Sequence, residues 1–320
     1  MTAPLIVGAG FSGLIAACMF PGASVVESSP APTQGHKALL RFRSDVVANV
    51  TGVPFRPVTV RKGIFYNGKL CRANIRLANM YAHKVTGRVQ ERSVWDLEPV
   101  RRWVAPDNFH ERLLEKVGSR ISYATQWAPE PGQQARPVIS TAPLDATLRA
   151  VGLEFAGDDA MFRHAPITVE RHRIPGADVF QTIYFPAVWP SAGNGLALYR
   201  ASITGDVLIL EMMGDDLSDS QRACAFNEAT LAFGLPQKLV ERAEARPHRQ
   251  RYGKISDFAD DSLRKALLQK LTVERNVYSL GRFATWRNIL LDDVVSDSLV
   301  IQRLMSANDY ERKLIHVKEK

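Results

Sequence analysis

Chemistry is most legible at the amino terminus, in the run Gly8-Ala9-Gly10-Phe11-Ser12-Gly13. Gly8 permits a tight turn after a strand, Gly10 lets a pyrophosphate approach the backbone, and Gly13 lets helix and strand pack closely. Phe11 and Ser12 belong to the turn, and the helix that follows faces the phosphates with its N-terminus. Glu27 lies nineteen positions beyond Gly8, at the end of a second strand, where a carboxylate binds a ribose hydroxyl. These residue types at this spacing suit a dinucleotide. The turn alone does not separate FAD from NAD.

A turn of this kind needs a frame. Pro4 to Val7 is a short apolar run, Leu14 to Phe20 reads as a helix and Ser24 to Glu27 as a second strand, the opening of a doubly wound α/β domain. Ser28 to Gly35 is rich in Ser, Pro and Gly and reads as a loop. From Lys37 to about Phe109 the pattern is mixed. A helix is expected over Asn108–Val117 and a strand over Arg120–Thr125, and Pro137–Pro143 reads as a strand returning to the first sheet. Alternation in Ile167–Glu170, Phe180–Phe185, Leu196–Ile203 and Val207–Met212 predicts an antiparallel sheet beside the nucleotide domain. Ser218–Phe233 and Ser262–Leu271 have helical periodicity; a strand at Val277–Gly281 and a helix over Asp292–Met305 follow.

With 320 residues, the chain is expected to form two interleaved domains. Hydrophobic residues at 46% and charged residues at 23% are ordinary for a globular protein. No apolar run approaches the roughly 20 residues that span a bilayer, so no membrane partner is expected. Cys18, Cys71 and Cys224 are scattered and share no metal-binding spacing, which fits a reducing cytoplasm and no bound metal. The formal charge of +8 suits an anionic partner such as nucleic acid, a nucleotide or a phosphorylated sugar.

The segment Gly281-Arg282-Phe283-Ala284-Thr285-Trp286, followed by Leu291-Asp292-Asp293-Val294-Val295, resembles the closing motif of UDP-galactopyranose mutases and related amine-oxidase-like flavoproteins. The Gly-Arg pair, the aromatic five positions after the glycine and the Asp-x-Val opening the last helix all match. The resemblance implies FAD, with the last helix directing its N-terminus at the flavin. It implies that Gly281, Arg282, Trp286, Asp292, Asp293 and Val294 line the cofactor site, and that Ser140 and Thr141 belong to the middle cofactor-contacting strand. The implied fold is α/β, a Rossmann-type FAD-binding domain (1–45, 111–150 and 272–320) with an inserted substrate domain (46–110 and 151–271) containing an antiparallel sheet. Departures stand beside the matches. After the second strand the chain reads Gly35-His36-Lys37-Ala38-Leu39-Leu40-Arg41-Phe42-Arg43, where mutases carry a double-glycine turn and a longer histidine-containing segment.

The intervening stretches Tyr81 to Arg88, Tyr199 to Asp206 and Arg251 to Ile255 are similar to small FAD proteins of bacteriophages, some of which are flavin-dependent lyases of thymidine hypermodification. That likeness implies oxidative trimming of an amino acid, such as glycine, attached to the thymine methyl carbon, in the host cytoplasm. An arginine fork is the natural clamp for the carboxylate, with Arg41, Arg43 and Arg200 as candidates. His36 is a candidate proton acceptor, and Lys254 a candidate for the flavin N5 or a water. The substrate is expected to be modified DNA or a nucleotide. Tyr66, Tyr81, Trp95, Trp103 and Trp189 are candidates to stack an extruded base, with Lys62, Lys69, Arg72 and Arg76 for the backbone. Two alternatives stand beside this reading: a mutase-like isomerase using reduced FAD, and a non-catalytic FAD-binding subunit.

Overall fold

The computed structural model describes residues 3–32, 37–91, 93–129, 136–153, 159–187, 197–242, 246–255 and 261–307. Strands β1 (Leu5–Val7), β2 (Ser24–Val26), β6 (Ile121–Ser122), β7 (Val138–Ser140) and β14 (Val277–Ser279) form a parallel sheet in the order β14-β7-β1-β2-β6. Its side chains alternate between two cores, as period-2 strands require. Val25, Ile6, Ile139 and Tyr278 lie side by side in register and meet α1 (Phe11–Met19), α2 (Val46–Thr51), α4 (Phe109–Val117) and α8 (Leu291–Ser306). Val7, Val138 and Val277 point the other way, against α5 (Leu144–Ala150) and α7 (Asp261–Arg275). Apolar strands covered on both faces are what a parallel sheet with helical crossovers demands.

The second sheet contains β3 (Arg56–Tyr66), β4 (Lys69–Cys71), β5 (Val100–Val104) and β8 (His164–Arg173). It continues through β9 (Val179–Tyr184), β10 (Leu198–Gly205), β11 (Val207–Met213), β12 (Glu241–Arg242) and β13 (His248–Ile255). Its order is β12-β8-β11-β10-β9-β3-β4, with β13 on β8 and β5 on β3. The sheet is mixed where antiparallel pairing was expected, because β3 runs parallel to β9. One face is covered by α3 (Ile75–Thr86) through Leu77, Ala78, Tyr81 and Val85, the other by α6 (Asp219–Phe233) through Ala225, Ala229 and Ala232. No described helix is long and apolar enough to cross a membrane.

Two partly buried cations fasten this sheet. Arg200 forms an ion pair with Glu211 across a β-bulge, with a second bond of 2.7 Å, and Tyr199 donates to the same carboxylate at 3.2 Å. Lys84, on α3, donates to the carbonyls of Phe185, Ala187 and Leu198 at 3.1, 2.6 and 2.6 Å. Burial pulls its ammonium down to about 7, while three carbonyl acceptors favour the charged form. Glu211 is 1% exposed. Its removal strands the Arg200 charge, so Glu211→Ala is expected to lower unfolding stability in urea by about 3–5 kcal/mol. Glu241→Ala, on an exposed edge strand, should change it by no more than about 0.5 kcal/mol.

Candidate functional site

The parallel strands end level with one another: Val7 is opposite both Val26 and Ser140, and Ser140 is opposite Ser279. Gly8, Glu27, Thr141 and Leu280-Gly281 therefore follow at one edge of the sheet, the carboxyl edge where doubly wound folds bind ligands. Gly8 has φ +98°, and a Cβ there would lie 2.5 Å from Thr141 Oγ1. A Cβ on Gly13 would lie 1.9 Å from the Gly8 carbonyl oxygen, so α1 reaches β1 at a distance only glycine permits. Gly281, with φ +90°, meets Ser12 in the same way, its Cβ position being 2.5 Å from Ser12 Oγ. The carboxy-terminal segment is thereby pressed against the amino-terminal turn.

Gly10 differs from these. Its φ of −73° is ordinary for any residue, and a Cβ would meet no protein atom within 4 Å. Neither packing nor backbone geometry calls for glycine there. Space at the start of α1 beside a helix N-terminus is what a pyrophosphate requires. Glu27 spans the turn: Oε2 accepts from Ala9 N at 2.8 Å and Oε1 from Ser29 N at 2.9 Å. Burial opposes the charged carboxylate, but these N–H groups outweigh it and hold Glu27 below the usual carboxyl range.

At the N-terminus of α8, Asp292 is 6% exposed and Oδ1 accepts from the backbone N–H groups of Arg43 and Ser44, both at 3.0 Å. Oδ2 is buried and has no partner among the described residues, although carboxylates buried in this way are normally satisfied. Asp293 caps the helix by accepting from Leu290 N at 2.8 Å and forms an ion pair with Arg43. Val294 points into the core beneath, so only its backbone is presented at the helix end. The open face at Gly10 and the unpartnered Asp292 oxygen fit the two ends of an extended ligand.

Other expected residues have different surroundings. Phe11 stacks on Phe109 at 5.4 Å, leaving its backbone at the helix start. The Ser140 hydroxyl faces inward and bonds Thr147 Oγ1 at 2.9 Å, while Thr141 Oγ1 donates to Val7 O at 2.8 Å. Trp286 is 1% exposed, with φ +48°, and packs edge-on against Phe162 and Tyr252. It is a core aromatic behind the Gly281 turn. Arg41 is no open fork: Nη1 donates to Thr182 Oγ1 at 2.9 Å, and Nη2 to the carbonyls of Gln181 and Ile203 at 3.2 and 2.6 Å. Burial and the nearby Arg200 draw its pKa down to about 10. Arg43 and Arg200 are likewise committed to Asp293 and Glu211. Tyr81 belongs to the second sheet's core. His36 and Trp189 lie outside the described residues.

A cleft of about 570 Å³ is lined in part by His83, Lys84, Arg163, His164 and Lys254 and, among the described residues, by no Asp or Glu. Of these only Lys254 was singled out from sequence; its Nζ lies 4.2 Å from the centroid of the Tyr199 ring. Arg282 Nη2 donates to the carbonyl of Gly253 at 3.4 Å, joining the Gly281 turn to the strand that carries Lys254. His83 and Lys84 lie in the Tyr81 to Arg88 stretch, whose likeness gave neither a role, and Arg163 and His164 stand at the start of β8, where no motif marks them. No group of His, Cys, Asp and Glu suited to a metal occurs among the described residues.

These features define a doubly wound α/β fold with a mixed second sheet. In sequence the chain matches no protein-family model and no curated protein. In structure it resembles reduced UDP-galactopyranose mutase, with 14% identity, TM-score 0.67 and coverage of 96% of this chain and 94% of that one. A double mutant of putrescine oxidase, made in a structure-based redesign of cofactor binding, gives 10% identity, TM-score 0.60 and coverage of 96% and 99%. A protoporphyrinogen oxidase from Exiguobacterium sp. 255-15 gives 11%, 0.59, and 95% and 99%. Likeness at these identities establishes the shared fold.

The two glycines separate packing from ligand binding. Gly13→Ala should unfold at lower temperature, because its Cβ meets the Gly8 carbonyl. Gly10→Val should have a stability within about 1 kcal/mol of the cofactor-stripped parent and should purify without bound dinucleotide. Calorimetry and the absorption spectrum read the two effects. For Glu27, whose folded pKa is depressed from an ordinary value of 4.5, stability is present above that value and lost as pH falls through the folded one. Glu27→Gln should therefore flatten the acid limb of the stability–pH curve.

Proposed function

We propose that the chain is an FAD-dependent enzyme that oxidatively removes an amino acid, such as glycine, from the methyl carbon of a modified thymine in phage DNA. The observation that carries FAD binding is Gly10, where neither φ nor a packing contact requires glycine and the space at the start of α1 is open to a ligand. The Asp292 oxygen left without a partner and the fold shared with the mutase and the oxidases support it. Gly8, Gly10, Gly13 and the N–H groups of Phe11 and Ser12 would hold the pyrophosphate, and Glu27 the ribose. Asp292 and the first turn of α8 would hold the flavin half, with Thr141, Gly281 and Arg282 walling it.

Bound FAD supplies a two-electron acceptor. On the substrate, the glycine Cα–H bond breaks with its electron pair leaving as hydride and the amine proton leaving to solvent. The C=N bond so formed takes up water and splits into aminomethyl-uracil and glyoxylate. The cleft, with basic side chains and no carboxylate among its described residues, favours a substrate that carries a carboxylate and a phosphate. Lys254 is assigned to hold a water or a proton at the reacting end. The parallel sheet with its helices, including α2 and α7, serves the cofactor, and the mixed sheet with α3 and α6 serves the substrate. The setting is the host cytoplasm.

The structural likeness to reduced UDP-galactopyranose mutase favours a second reading, isomerisation of a nucleotide sugar with reduced FAD. Anaerobic mixing distinguishes them. With glycine-modified thymidine in DNA, the visible flavin absorbance should be lost and one glyoxylate should appear per flavin reduced. An unchanged flavin spectrum, with turnover of a UDP-sugar only after chemical reduction, would support the mutase reading instead.

A further inference from the structure

The basic charge of this chain is concentrated in one stretch. Residues 46–90 contain no Asp or Glu, but they carry Arg56, Arg61 and Lys62 on β3 and Lys69, Arg72 and Arg76 from β4 into α3. Lys84 and Arg88 follow at the end of α3. These eight equal the formal charge of +8 for the whole chain, so acids and bases balance everywhere else. Three of them face internal partners: Arg56 pairs with Asp178, Lys62 donates to the Asp96 carbonyl, and Lys84 has its three carbonyls. Arg61, Lys69, Arg72, Arg76 and Arg88 are exposed and meet no carboxylate among the described residues.

The fold arranges the exposed cations toward the cleft. The buried side of α3 is set by Leu77, Ala78, Tyr81, Ala82 and Val85. Arg76 and His83, seven residues apart, share the opposite side, with Arg72 just before the helix. His83 is also a wall of the cleft, so the cationic side of α3 runs directly into it. The 12-residue helix is about 18 Å long, roughly the rise of five stacked nucleotides at about 3.4 Å each. Helix stability does not account for Arg76, because a cation in the first turn opposes the macrodipole and no acidic residue stands there to offset it. Leu70 and Ile75, 62% and 65% exposed, place apolar surface between the cations.

We infer that the outward side of α3 and the β3–β4 hairpin is a track for a nucleic-acid strand, whose phosphates run along Lys69, Arg72, Arg76 and His83 and deliver a nucleotide to the cleft. An anionic bilayer would meet the same cations, but a strand can enter a recessed cleft and a bilayer surface cannot. The inference rests on the proposed action on DNA, and it selects polymer over free nucleotide as the substrate.

The test uses flavin-loaded enzyme, an unmodified fluorescent single-stranded oligodeoxynucleotide and anisotropy across a range of salt concentrations. Log affinity should fall linearly with log salt, each phosphate contact contributing about 0.7 to the slope. Arg72→Gln with Arg76→Gln should reduce the slope by about 1.4, while Arg112→Gln, on exposed α4 surface, should leave it unchanged. Flavin content should be the same in all. An unaltered slope in the double variant, or an equal loss with Arg112→Gln, overturns the track. So does displacement by thymidine monophosphate at equal phosphate concentration, or tighter binding to anionic phospholipid vesicles than to the oligonucleotide. No turnover is needed. If modified DNA fails to reduce the flavin while the slopes behave as expected, the surface stands and the proposed reaction falls.

Discussion

The approach of α1 to β1 at Gly13 fixes where everything else at the sheet edge can stand. With no side chain between them, helix and strand close to a distance at which the Gly8 carbonyl touches the Gly13 position. That contact directs the start of α1 across the carboxyl edge of the parallel sheet. The level ends of β2, β7 and β14 then bring Glu27, Thr141 and Gly281 around the same point. Gly281 repeats the device by admitting Ser12. Substituting Gly13 would push α1 off the neighbouring β1 turn, and substituting Gly281 would force apart segments more than two hundred residues distant in the chain.

Around that edge, the charged groups divide by surroundings. Those enclosed by the protein are partnered: Arg200 by Glu211 and Arg41 by strand carbonyls. Such groups hold strands and loops in register, and removing one partner leaves a charge in low dielectric. Lys69, Arg72 and Arg76, at β4 and the start of α3, are in water, where they attract anions over about 8–10 Å at moderate salt. One set shapes the site and the other faces outward.

Much of the first sheet was legible because its signals are local. A glycine turn, a short apolar strand and an acid after the second strand each impose their own requirements on a few neighbouring residues. The final helix was legible through Asp292 and its neighbours. β3 was not, since Pro57 and Gly63 interrupt its pattern and both residue types weaken a strand assignment. Nor could the sequence distinguish an open arginine from a closed one. The partners of Arg41 lie on strands about 140 and 162 residues away, and the Glu211 that holds Arg200 is its register partner on β11, beside a bulge. Trp286 matched a spacing, but its ring is buried by Phe162 and Tyr252, which arrive from other strands and loops.

The account turns on a dinucleotide lying from the Gly10 turn to the end of α8. Thermal unfolding of cofactor-stripped protein with FAD and, separately, with FMN tests this most directly, because FMN lacks the adenylate half that the turn would hold. FAD at about a hundred times its dissociation constant should add about 2.7 kcal/mol of stability, and FMN at the same concentration should add far less. Equal stabilisation by the two, or none by either, would contradict a site built across the amino-terminal turn.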